Sequence, residues 1–394
     1  MRSSLLRSET KMSNILLTGG RAPATLELAR TFHRAGHAVF MAESLRGHLS
    51  EPSNALTANY LVPPPRQQTS AFLDALKTII IENKIDLLIP TCEEVFYISM
   101  GRNQLLCKVF VEPINMLQMI HHKWAFIIQA LNLGLPVPET LLIRSEDELL
   151  MAFAQWQKLV LKPIYSRFAS RTLIRPTLKQ ALTTVTIDPD NPWIAQEFID
   201  GQQFCTYSIC HHGHITAHTA YRSDFTAGQG ATIVFQHFEH PGIFDWVQRF
   251  VEATLFTGQI AFDFIESPDG EIVALECNPR ATSGIHLLAS DPKFVNAFFD
   301  ESMDYITPSE KSSFMLTTAM LMYGLFPAIK NHKFNSWLST FFSSPDVIFD
   351  TKDLLPFFLQ WRSILYYLNL AQKQHISPLA ASTFDIEWNG EDIA

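Results

Sequence analysis

Two acidic residues, Asp263 and Glu276, flank the turn signal Ser267-Pro268-Asp269-Gly270-Glu271 within the stretch 259–286. Apolar, β-branched and aromatic runs lie on both sides, and Asp-Gly between such runs signals a β-hairpin, because glycine tolerates a positive φ. With the tip at Asp269-Gly270, or any loop symmetric about that point, Asp263 falls opposite Glu276. Directly opposed side chains hold their Cβ atoms roughly 4.5–5.5 Å apart, and like charges so placed repel. A hairpin that aims two carboxylates at each other therefore needs something between them. Asn278 follows Glu276 by two residues and shares its face, since side chains alternate along a strand. Two carboxylates and an amide oxygen form a hard, all-oxygen set that suits Mg²⁺ better than zinc. Arg280, on the same side if the alternation persists, suits a phosphate or the transferred oxygen of a substrate. A surface hairpin with acids facing water is the plainer alternative, and the almost wholly apolar flanks speak against it.

Other residues add to this chemistry. Lys162 ends the apolar run 159–163, and a buried ammonium needs an anionic partner. Lys123 sits among apolar neighbours in a stretch, 113–135, that reads as one helix closed by Gly134 and Pro136. Ser166, Arg167, Ser170, Arg171 and Arg175 interleave hydroxyls with guanidinium groups, which suits phosphate oxygens or else a solvated basic turn. Glu93 and Glu94 follow the strand 87–90, where ligands of open α/β sheets gather. They serve equally well to complement the start of the next helix. Gly19-Gly20-Arg21 lacks GxGxxG spacing and reads as a tight strand-to-helix turn.

The elements that must position these groups alternate in type. Strands 14–18 and 38–42 around a helix over 23–34 make a βαβ opening with a parallel sheet. Helices follow over 69–83, 145–156 and 241–256, with strands over 139–143, 159–163 and 193–199. The runs 205–210 and 214–221 alternate as antiparallel strands. A length of 394 residues suggests two or three domains, and 47% hydrophobic residues supply ample core. The net charge of −9 argues against sequence-independent nucleic-acid binding. Cysteines 92, 107, 205, 210 and 277 form no CxxC pair and read as reduced, buried hydrophobes of a cytoplasmic protein. Residues 1–11 contain no apolar signal region and read as an upstream start or a disordered tail. The apolar stretch 314–329 is too short and interrupted for a membrane span and is expected as buried core. In 353–372, Leu359, Ile364, Leu365 and Leu368 recur at helical spacing, which marks core or a subunit contact and leaves a homodimer open.

Lys123, Lys162-Pro163, Gln196-Glu197-Phe198-Ile199 and Glu276-Cys277-Asn278-Pro279-Arg280, in this order, resemble the ATP-grasp superfamily over about residues 13–290. Biotin carboxylase and the carbamoyl phosphate synthetase large subunit belong to it. The resemblance implies an N-terminal extension (1–12) and an α/β domain with a parallel sheet (13–112). It further implies an ATP-grasp domain with antiparallel sheets (113–290, its lid about 122–195) and a mostly helical region (291–394). It implies ATP and Mg²⁺ as cofactors, with Lys123 and Lys162 on the phosphates and Glu197, Phe198 and Ile199 at the adenine edge. Asp263, Glu276 and Asn278 become metal ligands, Arg280 the arginine at the transferred phosphoryl, and Glu93 or Glu94 the acceptor side. Two positions depart from the family. Ser166-Arg167-Phe168-Ala169-Ser170-Arg171 replaces a glycine-rich loop, and Gln203 stands where an acid often contacts ribose. The implied activity joins a small-molecule carboxylate to an amine or other nucleophile, with no nucleic-acid or membrane partner. A kinase that stops at phosphoryl transfer and a nucleotide-binding scaffold with a degenerate site are the rivals.

Overall fold

The first strand, Asn14–Thr18, is buried on both faces, the pattern of a parallel sheet covered on each side by helices. The computed structural model of the chain describes residues 12–166, 171–189, 191–227 and 230–390; the expected tail 1–11 and Arg167 lie outside them. Strands β1 (Asn14–Thr18), β2 (Ala38–Glu43), β3 (Ala58–Leu61), β4 (Leu87–Ile89) and β5 (Lys108–Val109) form a parallel sheet in the order β3-β2-β1-β4-β5. The connecting helix Pro23–Arg34 opens with proline in its first turn and buries Leu26, Leu28, Ala29 and Phe32. The order reverses between β1 and β4, so the turns after these two strands meet at the point where open α/β sheets bind ligands.

A second sheet, antiparallel, has the order β6-β9-β7-β8 and is built from β6 (Thr140–Ile143), β7 (Leu159–Pro163), β8 (Leu173–Ile174) and β9 (Trp193–Glu197). The single helix expected over 113–135 is two, Ile114–His121 and Lys123–Asn132. His122, with φ −70° and ψ 106°, leaves the helical region, and its Nδ1 accepts the Ala125 N–H at 3.1 Å to cap the second helix. The break makes Lys123 the first residue of a helix rather than a mid-helix residue, which frees its side chain to reach another element.

A six-stranded sheet, β16-β15-β10-β11-β14-β17, completes the fold. It comprises β10 (Gln202–His211), β11 (His214–Arg222), β14 (Val234–His237), β15 (Gly258–Glu266), β16 (Ile272–Asn278) and β17 (Ser313–Met315); β12 (Thr226–Ala227) and β13 (Ala231–Thr232) make a separate small hairpin. One face packs on the helices Lys123–Asn132 and Pro241–Thr254 through Phe126, Trp246, Phe250, Phe262 and Phe264, with the Trp246 and Phe250 rings stacked at 5.4 Å.

The region after 290 carries several helices and also supplies β17 to the large sheet, and in one respect it departs from expectation. The stretch 314–329 is not buried core: Met315, Met320 and Ala328 face inward, whereas Met322, Phe326 and Ile329 are 57, 72 and 54% exposed. Apolar residues occupy both sides of this stretch, and the fold covers only one. No described helix is long and apolar enough to cross a membrane. The chain then returns to the first sheet, where Trp388 is buried against the rings of Phe96 (5.0 Å) and Tyr165 (5.3 Å), and Glu387 pairs with Arg66. All five cysteines are free, but only Cys210 and Cys277 are buried; Cys92, Cys107 and Cys205 are half-buried, which corrects the expectation for those three.

Candidate active site

The hairpin β15–β16 reaches the expected pairing by an unexpected route. Its loop closes with Ser267 N–H on the Glu271 carbonyl (2.8 Å) and Gly270 N–H, at φ +83°, on the Ser267 carbonyl (2.9 Å). That loop is centred on Asp269 and pairs Glu266 with Ile272 and Phe264 with Ala274. Continued unchanged, it would set Asp263 opposite Leu275. A bulge between Asp263 and Phe264 leaves Leu275 unpaired and restores Asp263 opposite Glu276. The Leu275 carbonyl accepts from Lys162 Nζ at 3.4 Å, so the irregularity that aligns the carboxylates also seats a lysine.

Glu276 is the anionic partner that Lys162 required. Lys123 Nζ lies 3.4 Å from Glu276 Oε2 and also donates to the carbonyls of Ile164 (3.5 Å) and Ser166 (3.3 Å). Burial pushes the Lys162 ammonium down to about 8, with the Glu276 charge opposing that shift. Burial also disfavours ionisation of Glu276, but the ammonium groups of Lys123 and Lys162 outweigh it and hold this carboxyl below its usual range. Asp263 moves the other way: burial and then the neighbouring Glu276 charge push it up, and the two carboxyl groups share a hydrogen bond. Asn278 and Arg280 complete this edge. Arg280 Nη2 donates to Asn278 Oδ1 (3.3 Å), and its Nε lies 3.9 Å from Glu93 Oε1.

Apart from Lys123, which is buried behind Glu276, these groups line a cleft of about 320 Å³ between the antiparallel sheets. Lys162, Ser166, Asp263, Glu276, Asn278 and Arg280 stand on its wall, as do Glu197, Phe198, Ile199 and Gln203. Glu197 ends β9; its N–H bonds the Glu139 carbonyl and its carboxylate accepts the Glu139 N–H at 2.9 Å. Phe198 N–H bonds the Lys158 carbonyl, whereas the Ile199 N–H has no partner among the described residues. Glu93 lines the cleft, but Glu94 does not. Glu94 Oε1 accepts from Thr18 Oγ1 (2.6 Å), Thr91 N (3.1 Å) and Cys92 N (3.0 Å), fastening β1 to β4, and burial raises its pKa. Gly19 makes that closure possible, because a Cβ there would lie 2.5 Å from Thr91 Oγ1. Arg171 lies over the Trp193 ring at 5.4 Å and is not on the cleft wall.

Two parts of the site were not anticipated. Cys205 pairs across β10–β15 with Asp263, bonds it, and has its thiol pushed well up by burial and by that charge. Its strand was legible, but β10 pairs with a strand more than forty residues on, and no local signal specifies that. Arg21, after the Gly-Gly turn, is buried between Glu43 (2.5 Å) and Asp385 (2.6 Å). The turn is the tight strand-to-helix connection expected, with its arginine clamped by the last part of the chain. Among the described residues no group of three or more His, Cys, Asp and Glu side chains is disposed to hold a metal ion. The candidate set here is two carboxylates and an amide.

The sequence matches no family model and no curated protein. The fold is shared with solved structures. An L-amino acid ligase from Bacillus licheniformis aligns with a TM-score of 0.54 at 16% identity, over 71% of this chain and 70% of that one. An ADP complex of N5-carboxyaminoimidazole synthetase from Staphylococcus aureus gives 0.63 at 10% identity, over 81% and 86%. A biotin carboxylase from Campylobacter jejuni gives 0.59 at 11% identity, over 77% and 74%. The chain has the ATP-grasp fold, with a parallel sheet followed by antiparallel ones, as its four ordered motifs implied.

Proposed function

We propose that the protein is an ATP- and Mg²⁺-dependent ligase that joins a carboxylate to an amine or another nucleophile through an acyl phosphate. The observation that carries this reading is Glu276: one carboxylate faces Asp263 across the hairpin, pairs with the buried Lys123 at 3.4 Å and feels the charge of the buried Lys162. Oxygen donors of this kind fit Mg²⁺, and the upward push on Asp263 marks a place where a cation would relieve repulsion. Asp263, Glu276 and Asn278 would hold the ion, which when bound supplies charge neutralisation to a triphosphate.

The chain's own groups account for the rest. Lys123 and Lys162 bind phosphate oxygens, and the unpartnered Ile199 N–H meets the adenine edge beside the Glu197 and Phe198 backbone. Gln203 donates to a ribose hydroxyl. Arg280, between Asn278 and Glu93, bonds the transferred phosphoryl group, and Glu93 orients the acceptor. A carboxylate oxygen of the acceptor attacks the γ-phosphorus and ADP departs; the nucleophile then attacks the acyl carbon and expels phosphate. Positioning and charge supply the catalysis, and no protein nucleophile is needed. Cys205, the thiol nearest the carboxylates, is held protonated. The neighbouring ligases of the same fold support this class.

The test is ADP release from ATP across a panel of amino acids and other carboxylates, with and without hydroxylamine. Carboxylate-dependent ADP release with hydroxamate formation is expected. ADP release without hydroxamate would instead make the protein a kinase, and absence of ATP binding would overturn both readings.

A further inference from the structure

The long helix Leu355–Gln374 is amphipathic in the reverse sense. Its buried positions are Pro356, Gln360, Ser363 and Ala371, all small or polar apart from the proline. One row of large apolar side chains faces outward: Leu354, just before it, and Phe358, Trp361, Leu365 and Leu368 are 41, 62, 53, 60 and 47% exposed, whereas Phe357, Leu359, Ile364 and Tyr367 are half-buried. Of the residues expected as core or a subunit contact, Leu359 and Ile364 are half-buried while Leu365 and Leu368 are exposed. Rotation of the helix cannot bury the exposed row, because the inner face is tied down. Gln360 Oε1 accepts from Thr318 Oγ1 (3.0 Å), and Ser363 Oγ donates to the Gly47 carbonyl (2.8 Å).

The spacing of the outward residues identifies what covers them. Positions 354, 358, 361, 365 and 368 follow a 4-3-4-3 pattern, the 3.5-residue period by which one helix seats on another. A helix lying in a bilayer surface instead presents a broad apolar face rimmed by many cations. This helix carries only Arg362 and Lys373, and Arg362 is drawn to Glu51 at 3.6 Å. It contains no acid, so it has no charge pattern with which to select a different charged helix. Self-pairing needs only the apolar seam. Leu355 and Tyr366, 56 and 41% exposed, lie on a neighbouring face, so the stripe itself presents five large side chains. At about half of ~150–250 Å² each, they expose on the order of 500 Å², the larger part of the ~800 Å² that each partner buries in a stable complex.

We propose that this seam is the interface of a homodimer, in which the helix Leu355–Gln374 packs on the same helix of a second copy about a two-fold axis near Trp361, the middle of the five. The proposal does not depend on the reaction the cleft performs.

Sedimentation velocity and light scattering of the full chain at micromolar concentration are expected to give a dimer. Trp361→Glu and Leu365→Glu, each placing like charges at the axis, are expected to give monomers with unchanged far-UV circular dichroism. Should either variant misfold, Trp361→Cys decides alone: mild oxidation is expected to cross-link it into a covalent dimer, whereas the wild type with its five cysteines stays uncross-linked. A wild-type monomer that co-sediments with vesicles of phosphatidylcholine and phosphatidylserine would assign the seam to a bilayer and overturn the proposal. A wild-type monomer that ignores vesicles, or a dimer that survives both glutamate variants and leaves Trp361→Cys uncross-linked, would overturn it as well.

Discussion

Replacing Asp263 by Asn and Glu276 by Gln separates two carboxylates that face each other with opposite effects on stability. Glu276 balances Lys123 at 3.4 Å and the buried Lys162. Removing one partner of a buried charge pair costs ~3–5 kcal/mol. Because 29% of the Glu276 side chain remains open to the cleft, Glu276→Gln is expected at or below the lower end, ~2–3 kcal/mol. Each kcal/mol lowers the melting temperature of a unit of 150–250 residues by about 2–4 °C, so the loss is roughly 5–10 °C. Asp263 pulls the other way. Burial and the adjacent charge oppose its ionisation, whereas an asparagine there is neutral and still donates to Glu276. Asp263→Asn is therefore expected to raise the melting temperature of the ligand-free protein by about 2–4 °C, equivalent to ~1 kcal/mol. Calorimetry at pH 8 in EDTA measures both, and both variants are expected to lose ATP turnover. A Glu276→Gln protein that melts at or above the wild type, or an Asp263→Asn protein that loses as much as Glu276→Gln, would refute this account of the charges.

Burial drives His218 from 6.5 down to about 3, with its Nδ1 beside Ser208 Oγ at 2.9 Å. The unfolded chain takes up a proton that the folded one refuses, so stability is lost as pH falls from about 6.5 toward 3, by up to ~5 kcal/mol; His218→Gln is expected to lower the acid-denaturation midpoint. Arg171, over Trp193 and off the cleft wall, is expected to contribute only ~0.5–1 kcal/mol as a cation–π contact, so Arg171→Ala should leave the KM for ATP unchanged, and a large rise would place it on the phosphates. Trp388→Ala is expected to cost ~3–5 kcal/mol in urea unfolding, since the ring is 1% exposed; a smaller loss would mean that the final segment is not anchored there.

Much of the fold was legible because its signals are local. The strand Asn14–Thr18, the helix Pro23–Arg34 and the strand Leu159–Pro163 are each written in one apolar run with its own punctuation. The pairing of Asp263 with Glu276 was legible as well, although two features invisible in the sequence, an off-centre loop and a compensating bulge, cancel to produce it. The break at His122 was hidden because histidine is a tolerable helix residue, and its capping role exists only in the folded geometry. Lys162 announced that it needed an anion without naming Glu276, which lies more than a hundred residues away. The reversed helix Leu355–Gln374 shows a deeper limit: periodicity reveals that a stripe exists, but only the tertiary fold decides which side of it faces the protein.

The segment around Ser382, Asp385 and Trp388 packs on the edge of the first sheet near the cleft. Ligands of an open parallel sheet collect beyond the carboxyl ends of its strands, at the reversal between β1 and β4. Here the β1 and β2 side of that edge is occupied. Arg21 donates to Glu43, Ser44, Asp385 and the Ser382 carbonyl, and Glu43 accepts the backbone N–H groups of Ser44 and Leu45. Trp388 fills the space between Phe96, shortly after β4, and Tyr165, just beyond β7. What remains open is the β4 side, where Glu93 lies on the cleft wall 3.9 Å from Arg280. In the proposed reaction an acceptor carboxylate on that side would lie beside Arg280 and Glu93. On that reading, attraction at the guanidinium and repulsion from Glu93, Asp263 and Glu276 would orient the carboxylate, while Asp385 and Trp388 pack on the other side of the edge.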